Sequence, residues 1–133
     1  MKATRIFETI LYAEDLDSAL WFYRDVLGLE LQRSSELFLV FRLESSALII
    51  FNPAQSSETG REIPAHGSVG DGHLAFASKI EDLPRWLDHF TKHNISIETK
   101  HDWSEGGYSI YVRDPAGNSV EIAPPTLWGG WDI

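Results

Sequence analysis

The order strand, helix, three strands occurs twice along this chain, and that internal repeat constrains its fold more than any other feature. Residues 5–13 alternate as a strand. Asp15 or Asp17 can cap a helix whose apolar positions Leu16, Ala19, Leu20, Tyr23 and Leu27 fall at helical spacing, with Gly28 as a left-handed stop. Three strands are predicted near 29–34, 37–43 and 46–52, the last two joined by a tight turn at Glu44-Ser45. The plan then restarts with a strand over 72–78. Asp82 caps a second helix that tolerates Pro84 in its first turn, buries Leu83, Trp86, Leu87 and Phe90, and stops at Asn94. Strands near 95–101, 107–113 and 118–123 follow, the last pair joined by the turn Asp114-Pro115-Ala116-Gly117-Asn118. Each copy closes on a strand running into proline, Ile49-Ile50-Phe51-Asn52-Pro53 and Val120-Glu121-Ile122-Ala123-Pro124. The fold class is therefore α+β, built from two βαβββ modules within one domain, 1–133. Module 1 covers about 4–53 and module 2 about 72–125. A loop over 54–71 separates them, and a tail over 126–133 follows.

Strand alternation sorts the residues by face. Phe7, Thr9 and Leu11 share one side of the first strand; Ile6, Glu8 and Ile10 share the other. In the second copy Leu74 and Phe76 oppose His73 and Ala75, and Val120 and Ile122 oppose Glu121 and Ala123. The bulky sets must cover the helices, which puts Glu8, His73 and Glu121 together on the opposite, concave face. In the closing strands the position that holds Glu121 in one copy is assigned to Ile50 in the other.

One imidazole and two carboxylates suit a divalent cation such as Fe, Mn, Ni, Co or Zn, and leave positions open for water or substrate. Two ionised carboxylates on an apolar face would each cost several kcal/mol unless paired. No lysine lies in these three strands to pair them. The structural alternative is that either Glu pairs with Arg42 or Arg113 while His73 bonds a carbonyl. Pocket-wall candidates are Tyr111 and Arg113 on one strand, Phe38 and Arg42 on another, and Trp103. His66, in Pro64-Ala65-His66-Gly67, is expected in solvent; His89, His93 and His101 complete no recognisable ligand set. The loop and the tail around Leu127-Trp128-Gly129-Gly130-Trp131 are expected to shape the pocket.

Charge and composition narrow the class of partner. A formal net charge of −9 argues against nucleic acid, which requires clustered Lys and Arg. No apolar run approaches the ~20 residues of a membrane helix. Met1-Lys2-Ala3-Thr4-Arg5 leads directly into a strand pattern, so a cytoplasmic location is expected. Cysteine is absent, which removes disulfides, thiolate metal sites and cysteine nucleophiles.

Glu8-Thr9-Ile10-Leu11-Tyr12-Ala13-Glu14-Asp15-Leu16 followed by Phe22-Tyr23-Arg24-Asp25-Val26-Leu27-Gly28-Leu29 resembles the opening motif of the vicinal oxygen chelate superfamily. Gly72-His73-Leu74-Ala75-Phe76 resembles its second-module opening, and Asp114 to Ile122 its closing motif. That superfamily includes glyoxalase I, extradiol dioxygenases, fosfomycin-resistance proteins and bleomycin-binding proteins. The resemblance implies modules that form a cupped mixed sheet with helices on its outer face, commonly completed in a homodimer. Its metal positions fall here on Glu8, Ile50, His73 and Glu121. Ile50 cannot ligate, nor can Ile49 or Phe51, so the glyoxalase I quartet is incomplete and a three-ligand site remains. The implied function is a divalent-metal-dependent enzyme, of lyase, isomerase or dioxygenase type, acting on a small oxygen-chelating substrate. Glu8 or Glu121 would double as general base, and Tyr111, Arg113, Arg42, Phe38, Ile50 and Trp103 would line the pocket. The alternative is a non-catalytic protein that sequesters a small molecule, as the bleomycin-binding members do.

Overall fold

A computed structural model describes residues 1–68 and 70–129. The chain divides into two compact units, Met1–Gly70 and Asp71–Ile133. Each carries its own four-stranded mixed sheet.

In the first unit β1 (Glu8–Tyr12) leads to α1 (Leu16–Leu20), which runs on as a π-helix over Trp21–Val26. Asp15 is the N-cap: its carboxylate accepts from the Ser18 amide at 3.0 Å and the Ser18 hydroxyl at 2.6 Å. Those bonds, the hydroxyl's first, hold the Asp15 carboxyl below its ordinary range. Ala19, Phe22, Tyr23 and Val26 are buried, and Val26 rather than Leu27 closes the stripe where the helix widens. Tyr23 packs on Phe41 with ring centroids 5.7 Å apart. The helix stops at Gly28, whose φ is +73°. A Cβ at Gly28 would meet nothing within 4 Å, so Gly28→Ala carries backbone strain alone. It is expected to cost about 1 kcal/mol, read as a lower denaturant midpoint at unchanged slope.

Strands β2 (Glu30–Ser34), β3 (Phe38–Arg42) and β4 (Ala47–Phe51) complete the sheet in the order β1-β4-β3-β2. β1 runs parallel to β4, and the other pairs are antiparallel. Leu11, Leu39, Phe41, Leu48 and Ile50 face the helix and form the core. Glu8, Ile10, Tyr12, Phe38, Val40, Arg42, Ile49 and Phe51 take the other face. The loop after β4 begins with a short helix, α2 (Pro53–Ser56), capped by Asn52.

The second unit repeats the plan. β5 (His73–Ala77) leads through a 3₁₀ turn (Ile80–Asp82) to α3 (Leu83–Lys92), then β6 (Thr99–Asp102), β7 (Tyr108–Arg113) and β8 (Ser119–Ala123). The order β5-β8-β7-β6 and the parallel β5/β8 pair match the first unit. Leu83, Phe90, Ile110, Val112, Val120 and Ile122 build the core. Two local expectations change. The Asp82 side chain makes no cap bond and instead pairs with Arg85 at 2.8 Å. The strand expected from residue 95 begins only at Thr99, because the chain leaves α3 through Asn94 at φ +57° and Ile95 still donates to the Phe90 carbonyl.

The β7–β8 turn holds the start of β5. The Asp114 carboxylate accepts from the Asn118 amide at 2.8 Å and from Asn118 Nδ2 at 2.9 Å. Asn118 Oδ1 in turn accepts the Gly72 amide at 2.8 Å, one residue before His73. After β8 a 3₁₀ turn (Pro125–Trp128) ends the described chain, with Trp128 exposed. The expected contribution of Gly130 and Trp131 to a pocket lies outside the described residues. Among the described residues no helix is long and apolar enough to cross a membrane.

Candidate functional site

The open face of the second sheet carries His73 on β5, Ser119 and Glu121 on β8, Ser109, Tyr111 and Arg113 on β7, and Thr99 and His101 on β6. His73 and Glu121 meet there, with Nε2 3.2 Å from Oε2. The Glu121 side chain is 7% exposed and that of His73 54%, so the carboxylate carries most of the burial cost. Glu121 Oε1 is buried and has no hydrogen-bond partner.

The His73 ring is oriented from its far side. Nδ1 lies 3.2 Å from the Ser119 carbonyl, which can only accept, so Nδ1 carries a hydrogen. A neutral His73 therefore directs the Nε2 lone pair at the Glu121 carboxylate. Two acceptors 3.2 Å apart repel unless a proton or a cation lies between them. This arrangement fits a divalent cation on two counts: a tautomer fixed by a carbonyl, as metal-ligating histidines commonly have, and a buried carboxylate oxygen left over.

Tyr111 stands beside the pair, its ring stacked on His73 at 6.3 Å between centroids. Burial, and then the Glu121 carboxylate, push its phenol above the ordinary range, so Tyr111 keeps its proton at neutral pH. Tyr111 also lines a depression of about 390 Å³, with Glu98, Thr99, His101, Trp103, Arg113 and Ser119.

The remaining expected residues stand as follows. Arg113 is committed within its own unit. Nε and Nη2 grip Glu98 at 2.7 and 3.0 Å, and Nη1 reaches the Gly117 carbonyl at 2.9 Å and Asp71 at 3.3 Å. The Arg113 bonds hold the Glu98 carboxyl low. Arg113 thus lines the depression with its bonds made to Glu98, Asp71 and Gly117 and none to Glu121. Arg42 is exposed on the open face of the first sheet, as is Glu8 at the start of β1. Phe38 packs edge-on to Phe51 at 5.7 Å.

Ile50 needs correction. It is fully buried on the helix side, opposite Leu11 and Leu39, and does not share the face of its sheet that carries Glu8. Ile49 is the register counterpart of Glu121: Ile49 pairs with Ile10 two residues after Glu8, as Glu121 pairs with Ala75 two residues after His73. His66 is also not solvated. Its Nδ1 lies 2.8 Å from the Tyr12 hydroxyl and its ring sits edge-on to Phe51 at 4.6 Å.

Sequence reasoning missed Glu98, Thr99 and His101 as lining residues. The cross-strand pairing of Thr99 with Tyr111 would have found them, had β6 been placed correctly. Of the three expected ligands, His73 and Glu121 are brought together, and Glu8 belongs to the first unit. Among the described residues no group of three His, Cys, Asp or Glu side chains is gathered closely enough to hold a metal.

A sequence profile described as Glyoxalase/Bleomycin resistance protein/Dioxygenase superfamily matches residues 5–122. Among solved structures, a lactoylglutathione lyase from Agrobacterium tumefaciens is 41% identical with a TM-score of 0.91, over 98% of this chain and 100% of that one. A glyoxalase/bleomycin resistance protein/dioxygenase from Nocardioides shares 20% identity and a TM-score of 0.77, over 100% of this chain and 90% of that one. The oxidase ChaP-H2 shares 20% identity and a TM-score of 0.66, over 91% of this chain and 93% of that one. At such identity the last two bear on the fold alone. No curated protein sequence matches the chain.

Proposed function

Since this chain belongs to the glyoxalase/bleomycin resistance protein/dioxygenase superfamily, we propose that it is a divalent-metal-dependent enzyme acting on a small substrate with two adjacent oxygens. The observation that carries the proposal is the His73–Glu121 pair with its leftover buried carboxylate oxygen. His73 and Glu121 are two of the proposed ligands. Glu8 is the third, because it holds in the first sheet the register position that His73 holds in the second.

Ile49, an apolar residue, stands where a fourth ligand would be expected from the repeat, so the proposed set stays at three with a position left for substrate. Fe, Mn, Ni, Co and Zn all accept this donor set. When bound, the ion would supply Lewis-acid polarisation of the substrate oxygens. The chain's own part is separate. Ser119 fixes the His73 tautomer, Tyr111 presents a protonated phenol as hydrogen-bond donor, and Glu121 or Glu8 accepts a substrate proton. The lyase named in the structure at 41% identity supports chemistry of this kind, with the substrate open. A homodimer belongs to the same proposal and rests on superfamily membership.

The test is metal content by mass spectrometry on untagged protein purified without chelator, beside Glu8→Gln. About one equivalent of a transition metal is expected in wild type and little in the variant. Protein that holds no metal even after reconstitution, yet binds small molecules in the presence of chelator, would instead be a sequestering protein.

A further inference from the structure

Taking the proposed function as its premise, we propose that Trp103 and His101 form an aromatic-recognition subsite. It would take an uncharged aromatic tail of a substrate whose oxygen-bearing head sits at His73 and Glu121. Every residue used in this inference lies in the second unit.

Trp103 is held in one orientation. Its only polar side-chain atom, Nε1–H, donates to the buried Ser109 hydroxyl at 2.8 Å. Its backbone is closed into a turn by bonds from the Trp103 amide to Gly107 and from the Gly106 amide to Trp103, both 3.1 Å. His101 meets the indole edge-on, with centroids 4.3 Å apart at 68°. Both rings line the depression, and the indole is half-buried. An aromatic surface fixed before binding loses little entropy when a ligand stacks on it, and its polar atom, already paired, demands nothing from that ligand.

Charge defines the rest of the ligand class. Among the described residues that line the depression, the one Lys or Arg, Arg113, spends its donors on Glu98, Asp71 and the Gly117 carbonyl. No spare guanidinium fork is offered to a phosphate or carboxylate, and Glu98 and Asp71 repel one. Strand register sets the span. Glu121 pairs with Tyr111, and Ser109, which accepts the indole N–H, stands two residues along β7 from Tyr111; one strand spacing and two residues put Ser109 about 8 Å from Glu121 and the indole about 10 Å from it. A head at His73 and Glu121 and a ring on Trp103 therefore need a spacer of about three methylene groups between them. Tyr111 would lie along that spacer.

Two hydroxamates with the same chelating head separate the terms: acetohydroxamate, which is head alone, and 4-phenylbutyrohydroxamate, which adds spacer and ring. Their affinities are measured by calorimetry on full-length protein loaded with Zn²⁺. Wild type is expected to bind the phenyl probe about tenfold tighter or more, as base-on-aromatic stacking gives elsewhere. Trp103→Ala should erase most of that advantage and leave acetohydroxamate unchanged, which also shows the variant folded. Trp103→Phe, which keeps a π face, should retain most of it. Equal affinities in wild type, an advantage that survives Trp103→Ala, or no binding of the phenyl probe overturns the subsite. The metal reading is judged separately. Acetohydroxamate binding that persists in Glu121→Gln would overturn that reading, while the Trp103 comparison still decides the subsite.

Discussion

Glu121→Gln is expected to abolish metal retention while leaving the metal-free protein at least as stable as wild type. The two halves of this result have different origins. Loss of the carboxylate removes an anionic ligand, and even changes beside a ligand typically cost metal affinity 10- to 100-fold; loss of a ligand itself should exceed about 100-fold. Stability moves the other way because Glu121 is a buried carboxylate with one oxygen unpaired and the other facing an imidazole that is half in solvent. Gln keeps the shape and sheds the cost of burying charge without a full set of partners. Thermal unfolding of wild type and variant, each with chelator and with added Zn²⁺, reads both effects. Wild type should gain several degrees from the metal and the variant none, with the variant's chelated Tm no lower than wild type's. A variant that still gains stability from Zn²⁺ would remove Glu121 from the ligand set. A variant whose chelated Tm falls well below wild type would make Glu121 a structural residue.

The repeat was legible because its signals were local. Asp15, Gly28, Asn94 and the 114–118 turn mark the ends of elements, and the apolar stripes between them have one period each. Alternation also placed Glu8, His73 and Glu121 on the open faces of their sheets. What failed was register. Aligning the closing strands on Pro53 and Pro124 matched Glu121 to Ile50, but Asn52 lies between β4 and its proline as the cap of α2, while Ala123 of β8 abuts Pro124 directly. One residue of slip turns a side chain to the other face, and Ile50 lies in the core rather than on the face that carries Glu8. β6 was misplaced because Ile95 and Ile97 alternate like a strand while the chain there is still leaving α3. The Arg113–Glu98 grip and the Tyr12–His66 contact join residues 15 and 54 positions apart, and no local pattern announces such pairs.

Asn118→Ala should show that the β7–β8 turn sets the site as well as the fold. The Asn118 side chain is buried and serves two partners, accepting from the Gly72 amide and donating to the Asp114 carboxylate. Alanine removes both of these bonds, while the backbone amide of residue 118 still donates to the Asp114 carboxylate. Asp114 is 4% exposed, so water cannot readily replace the lost donor, whereas Gly72 is only half-buried and pays less. A loss of about 2–3 kcal/mol is expected, from one fully and one partly desolvated group. For a chain of this size that corresponds to a fall in Tm of roughly 5–10 °C. The same substitution releases the start of β5. Gly72 precedes His73, and the Gly72 carbonyl accepts the Ser119 amide whose own carbonyl orients the imidazole. Metal affinity should therefore drop about tenfold at temperatures where the variant is still folded, the size expected for disturbing the group that orients a ligand. Denaturant unfolding without metal and Zn²⁺ titration with a competing chelator give the two numbers independently. If stability falls and metal affinity does not, the turn holds the sheet together but His73 takes its orientation from β8 alone.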